Sequence, residues 1–168
     1  MANSQNNGGY RGNNNGFRKD NQRGGDNNKS YPKKEIEAPT AKPLPADYVD
    51  EAQNFMKKFM DEHKEDRNRI TTTKIRSILA MVSEIYNEES RRNDEKLSAD
   101  SMANIQLLRV RMIYECGRNP SDVRPFIMGS KLINYLLDIG DDRQKFINYA
   151  HYVEALVAYH RYFGGKDQ

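Results

Sequence analysis

The 168 residues carry one cysteine, Cys116, which excludes an internal disulfide and fits a reducing compartment. No apolar run approaches the ~20 residues of a membrane span or the pattern of a signal peptide, so a soluble cytoplasmic protein is expected. The net charge of +3 is uneven. Residues 1–45 hold eight Lys/Arg against four Asp/Glu, and the remainder holds 19 against 20. Nucleic-acid binding by the folded part would therefore depend on how charge is arranged, not on its total.

Residues 1–31 are rich in Asn and Gly, and only Tyr10, Phe17 and Tyr31 offer packing surface. Such a composition cannot offset the entropy of ordering, so a disordered tail is expected. YRGNNNGFRK and QRGG have the look of arginine–glycine segments that associate with RNA, although a solubilising tail would read the same way. Residues 32–45 hold four prolines and predict an extended linker, placing the folded domain at 46–168.

The first helix is expected from Ala46 or Asp47 to about Asp66. Val49, Ala52, Phe55, Met56, Phe59 and Met60 recur at three and four residues. The second opens at ITTTKIR, where Thr71 or Thr72 can cap free backbone N–H groups, and it carries the apolar stripe Ile75, Ile78, Leu79, Val82, Ile85 and Tyr86. Lys74 and Arg76 in its first turn oppose the helix dipole, a mild pointer to an anionic partner there. NEESRRNDEK then reads as a mixed-charge loop.

The third helix starts at Ser98 and contains IQLLRVRMIYECG. It is apolar nearly all round, which predicts a buried central helix covered on several sides. Cys116 in that setting reads as a small buried hydrophobe. Its polar residues Asn104, Arg111, Glu115 and Arg118 fall within roughly 60° of one another, giving one strip that reaches solvent or a ligand. Gly117 is expected to end the helix in a left-handed conformation, backed by Asn119–Pro120. A fourth helix, capped at Ser121 and tolerating Pro125 in its first turn, should run to Ile139 and stop at Gly140. A fifth, capped by Asp141 or Asp142, is long and aromatic and ends at Gly164–Gly165. No segment has a strand period. The expected fold class is all-α, a bundle of about five helices around the buried third.

The chain offers no nucleotide-binding glycine fingerprint, no phosphate loop and no histidine near Cys116. His151 and Glu154 lie one turn apart, but a metal centre needs three or four ligands, so a surface polar pair is the better reading. No catalytic residues, metal or cofactor are expected.

Three stretches together carry a resemblance: ITTTKIRSIL, then LLRVRMIYECGR followed by VRPFI, and YVEALVAYHRYFGGKD. Their order and spacing resemble the small helical subunit of type III-A CRISPR interference complexes, over residues 48–167. Similar sequences tend to carry an acidic residue where this chain has Pro125. The resemblance implies a non-catalytic subunit in antiviral defence. Several copies of it would stack as an inner filament beside other Csm subunits that hold guide RNA, and they would contact target RNA.

In such complexes base pairing reads sequence while protein reads backbone and shape. The basic residues in or near the matching stretches are the candidate RNA contacts: Lys74, Arg76, Arg109, Arg111, Arg118, Arg124 and Lys131. Two readings compete. One is a purely structural helical interaction protein without RNA contact. The other is a helix-turn-helix DNA-binding regulator on the second and third helices, disfavoured because a recognition helix must expose base-reading side chains.

Overall fold

The computed structural model describes residues 37–63 and 70–167. The expected disordered tail, residues 32–36 of the expected linker and the expected end of the first helix near Asp66 lie outside them. Among the described residues the fold is all-α, with six helices and no strand beyond one isolated bridge between Lys96 and Asp142. The helices are α1 (Tyr48–Glu62), α2 (Thr72–Glu89), α3 (Ala99–Arg118), α4 (Val123–Gly129), α5 (Leu132–Asp138) and α6 (Arg143–Tyr162).

Three caps expected from the sequence are in place. Thr71 accepts from the Lys74 N–H, Ser98 from the Ser101 N–H, and Asp142 from the Lys145 N–H. Each satisfies one of the free donors at a helix start.

The helix at the middle of the bundle is α6, not α3. Phe146, Tyr149, Ala150, Tyr152, Val153 and Leu156 are buried along it, and it packs against both α1 and α2. Ala150 lets neighbouring helices approach closely. Ala52, Met56, Phe59 and Met60 of α1 and Ile75, Ile78, Val82 and Ile85 of α2 complete the core around it.

The third helix departs from the expectation of a buried centre. It buries one stripe only, Ser101, Ile105, Leu108, Met112 and Cys116. Met102, Leu107, Val110, Ile113 and Tyr114 are exposed by 40–63%. Apolar composition all round says that a helix prefers to be covered, but not that the other described helices do the covering.

Other boundaries also differ. Asp122, not Ser121, precedes α4 and makes no side-chain cap, and α2 takes in Asn87–Glu89 of the expected loop. Gly117 stays helical, and α3 runs through Arg118 to end at Asn119, ahead of Pro120. The expected fourth helix is two helices. Ser130 turns its hydroxyl back onto the Phe126 carbonyl at 2.7 Å, and Lys131 adopts a left-handed conformation with φ 57°. That residue cannot propagate an α-helix. Just before the break, Gly129 lies against the Phe55 ring, where a Cβ would come within 2.8 Å. Gly140, at φ +58°, ends α5 as expected.

Two further ties fix the frame. Residues preceding α1 run along α5: the Lys42 N–H donates to the Asn134 carbonyl, the Asn134 amide to the Thr40 carbonyl, and Leu44 packs on the core. The loop between α2 and α3 is anchored by Glu89, which is fully buried. Its carboxylate takes both 3.0 Å contacts from Arg92 and the Ser98 N–H, while Arg143 donates to its carbonyl at 2.7 Å. Through its carboxylate and its carbonyl, Glu89 thus joins the end of α2 to the starts of α3 and α6.

Candidate nucleic-acid interface

The candidate cations separate by what already holds them. Lys74 reaches Asp122 at 2.5 Å, with Asn119 at 3.5 Å. Arg76 lies 3.8 Å from Asp167. Backbone donors at the start of α2 are also engaged: the Thr72 N–H and hydroxyl both donate to the Lys166 carbonyl at 2.9 Å, and the Thr71 carbonyl accepts from the Lys74 and Ile75 N–H groups. The anion that the first turn of α2 calls for is therefore supplied by the chain itself, from Asp122 and the last residues.

Lys131 is held by Glu51 of α1 at 2.7 Å and sits 5.9 Å from the Tyr135 ring centre. The hydrogen bond to Glu51 raises its pKa, and the same bond, with help from Tyr135, holds the Glu51 carboxyl below the ordinary range. Its partners belong to α1 and α5, so this cation works as a clamp. Arg124 is half-buried near Cys116, whose thiol is pushed up by burial and drawn back by that guanidinium.

Three arginines remain on α3. Arg111 is exposed, and its guanidinium contacts the Met81 sulfur at 3.4 Å. Sulfur is a weak acceptor, so most of the donor capacity of this fork is open. Arg118 is exposed and 4.0 Å from Glu115, a carboxylate that also accepts from Asn119 at 2.8 Å. An exposed pair at that distance is worth little. Arg109 is half-buried.

At 100° per residue the exposed apolar side chains of α3 fan across the side opposite its buried stripe. Arg109 falls on one edge of that fan, and Arg111 and Arg118 fall together on the other. The α3 face is therefore an apolar strip with arginine at both margins. Guanidinium groups can grip phosphate through two parallel hydrogen bonds, and such contacts are the usual basis of sequence-independent nucleic-acid binding.

The strip of Asn104, Arg111, Glu115 and Arg118 was legible from spacing. The exposed apolar face was not, because composition alone does not distinguish core from an uncovered surface. Elsewhere His151 lies against Tyr86, with Nε2 3.4 Å from the hydroxyl, a contact within the fold. Among the described residues no three His, Cys, Asp or Glu side chains converge on a possible metal position, and no helix is long and apolar enough to cross a membrane.

A small all-helical domain with an uncovered, arginine-edged helix face is the build of a subunit that works inside a larger assembly. Comparison with known proteins says which. Residues 45–166 match the family model Csm2 Type III-A, and this chain belongs to that family. It is a small subunit of a type III-A CRISPR complex, together with the other subunits of that complex. CRISPR system Cms protein Csm2 from Mycobacterium tuberculosis is 32% identical over 105 residues, covering 62% of this chain and 84% of the relative. The Streptococcus thermophilus protein of the same name is 31% identical over 120 residues, covering 71% and 93%. That from Enterococcus italicus is 32% identical over 128 residues, covering 68% and 90%.

Proposed function

We infer that the chain is a non-catalytic, repeated element of its complex. Several copies stack as an inner filament along the guide–target duplex, and each lays the arginine-edged face of α3 toward target RNA. The carrying observation is that edge: Arg111 and Arg118 share one side of α3, are exposed, and among the described residues have only a thioether and a 4.0 Å carboxylate against them. Arg109 guards the other margin. Lys74, Arg76, Arg124 and Lys131 contribute less, because each already has a partner or is half-buried.

One domain offers few phosphate contacts, so binding strength comes from many copies engaging one strand. The isolated protein then binds RNA weakly and without sequence preference.

The purely structural reading draws support from the same face, since Met102, Leu107, Val110 and Ile113 offer apolar surface to a protein neighbour. The DNA-regulator reading loses ground. Residues 90–98 separate α2 from α3, whereas a helix-turn-helix joins its helices by a turn of about three or four residues.

The test is purification of the whole complex through another subunit. Its mass should give more than one copy of this chain per guide, and ultraviolet crosslinking should join α3 peptides to target RNA. One copy per complex, or crosslinks confined to other subunits, would refute the reading.

A further inference from the structure

Between α2 and α3 lies a groove of about 490 Å³, within the roughly 300–1,000 Å³ range of small-ligand pockets. Its floor is apolar, made by Ile78 and Met81 of α2 and Val123 at the start of α4. Tyr114 forms one wall and is 63% exposed, an expensive way to leave a large ring unless something covers it. Lys74 and Arg111 stand at the rim. Glu115 also lines the groove, but its carboxylate is engaged by Asn119 and faces Arg118.

We propose that this groove receives one unstacked nucleobase of the bound RNA, with the Tyr114 ring as its stacking platform and Arg111 on the adjoining phosphate. The inference rests on the RNA-contacting role proposed above and adds a base-binding subsite to it.

Charge decides between an RNA strand and a protein side chain as occupant. The exposed margin beside the groove is cationic at Arg111 and Arg118, which suits an aromatic base carrying phosphates on either side. Protein recognition of single-stranded RNA commonly combines an exposed aromatic face with cationic groups tracking the backbone. A tyrosine platform is tolerant of base identity, since every base presents a π-face, so the subsite adds affinity without reading sequence. Its hydroxyl can stay in water while the ring is covered.

The assembled complex carrying Tyr114→Ala, Tyr114→Phe or Arg111→Ala is compared with the unaltered complex. The probes are matched target RNAs with a single abasic residue placed at each position in turn. Tyr114→Ala should weaken retention of intact RNA by at least about fivefold with an unchanged salt slope, and Tyr114→Phe should restore it. Abasic residues at particular positions should reproduce the loss in the unaltered complex and add nothing to Tyr114→Ala.

If Arg111→Ala weakens binding while Tyr114→Ala does not, the subsite is wrong and the backbone role stands. If neither substitution weakens binding, both fail. If Tyr114→Ala instead lowers the amount of assembled complex, with RNA affinity per complex unchanged, the groove belongs to a protein neighbour and the proposal is overturned.

Discussion

The imidazole of His160 fills the space where a side chain on Gly165 would stand, and a Cβ at Gly165 would overlap the ring. His160 is fully buried, with Nε2 donating to the Ile70 carbonyl at 3.0 Å and Nδ1 3.2 Å from the Thr72 hydroxyl. Gly164 turns the chain at φ +86°, and Lys166 then accepts from Thr72 and Asp167 from Thr73. The segment YHRYFGGKD is thus a clasp that closes α6 onto the start of α2. Gly165→Ala should push the ring off its partners and destabilise the domain by about 1–3 kcal/mol, the range for overpacking. A thermal or denaturant midpoint measures it. An unchanged midpoint would mean that the clasp yields freely.

Leu108 and Val110 contrast the two sides of α3. Leu108 is 2% exposed and Val110 is 62%. Leu108→Ala should cost about 2–5 kcal/mol, as for a buried leucine cavity. Val110→Ala should stay within about 0.5 kcal/mol in the isolated chain. Equal effects in denaturant titration would contradict the assignment of faces.

Glu89 should make stability fall in acid. Burial pushes its carboxyl up, but hydrogen bonds from the Ser98 N–H and from Arg92 hold it below the ordinary value of about 4.3. A lowered folded pKa gives stability that is fully present above that ordinary value and is lost as pH falls through the lowered one. Glu51, held down by Lys131, acts in the same direction. The thermal midpoint should therefore drop steeply below about pH 4. Glu89→Gln should flatten that slope. Glu89→Ala should cost toward the low end of about 3–5 kcal/mol at neutral pH, because Arg92 is 32% exposed and stays partly hydrated.

Residues 37–46 bear on where the domain begins. Lys42, Asn134 and Thr40 are hydrogen-bonded together, and Leu44 packs on the core. A chain starting at Glu37 should keep the helical circular dichroism and thermal midpoint of the full protein. One starting at Asp47 should melt lower. Equal midpoints would show that the strap along α5 contributes nothing.

Local chemistry made much of the fold readable. Threonine, serine and aspartate caps marked helix starts, and the stripe of Ile75, Ile78, Val82 and Ile85 gave the buried side of α2. What escaped was nonlocal. The stretch NEESRRNDEK reads as a mixed-charge loop, although its first three residues belong to α2, because nothing in its sequence shows that Glu89 is buried beside Ser98 and Arg143. The break at Lys131 follows Gly129, which lies against Phe55 of a distant helix, and that contact cannot be read from the local sequence. The apolar face of α3 looked like core because an apolar side chain reads the same in a sequence whether it is buried or exposed. For the candidate interface, spacing identified Arg111 and Arg118 as neighbours, but only the three-dimensional arrangement shows that Asp122, Asp167 and Glu51 already hold Lys74, Arg76 and Lys131.

The central claim is that the arginine edge of α3 holds target RNA by its backbone. It is tested by placing Arg111→Ala and Arg118→Ala together in the assembled complex and measuring target-RNA retention across a salt series. The melting temperature of the isolated variant is measured in parallel. Both side chains are exposed, so folding and assembly should survive. RNA retention should weaken to a similar degree for all target sequences, and the difference from the unaltered complex should shrink as salt rises. A large fall in melting temperature with unchanged RNA retention per folded complex would contradict the account and make the edge a structural one.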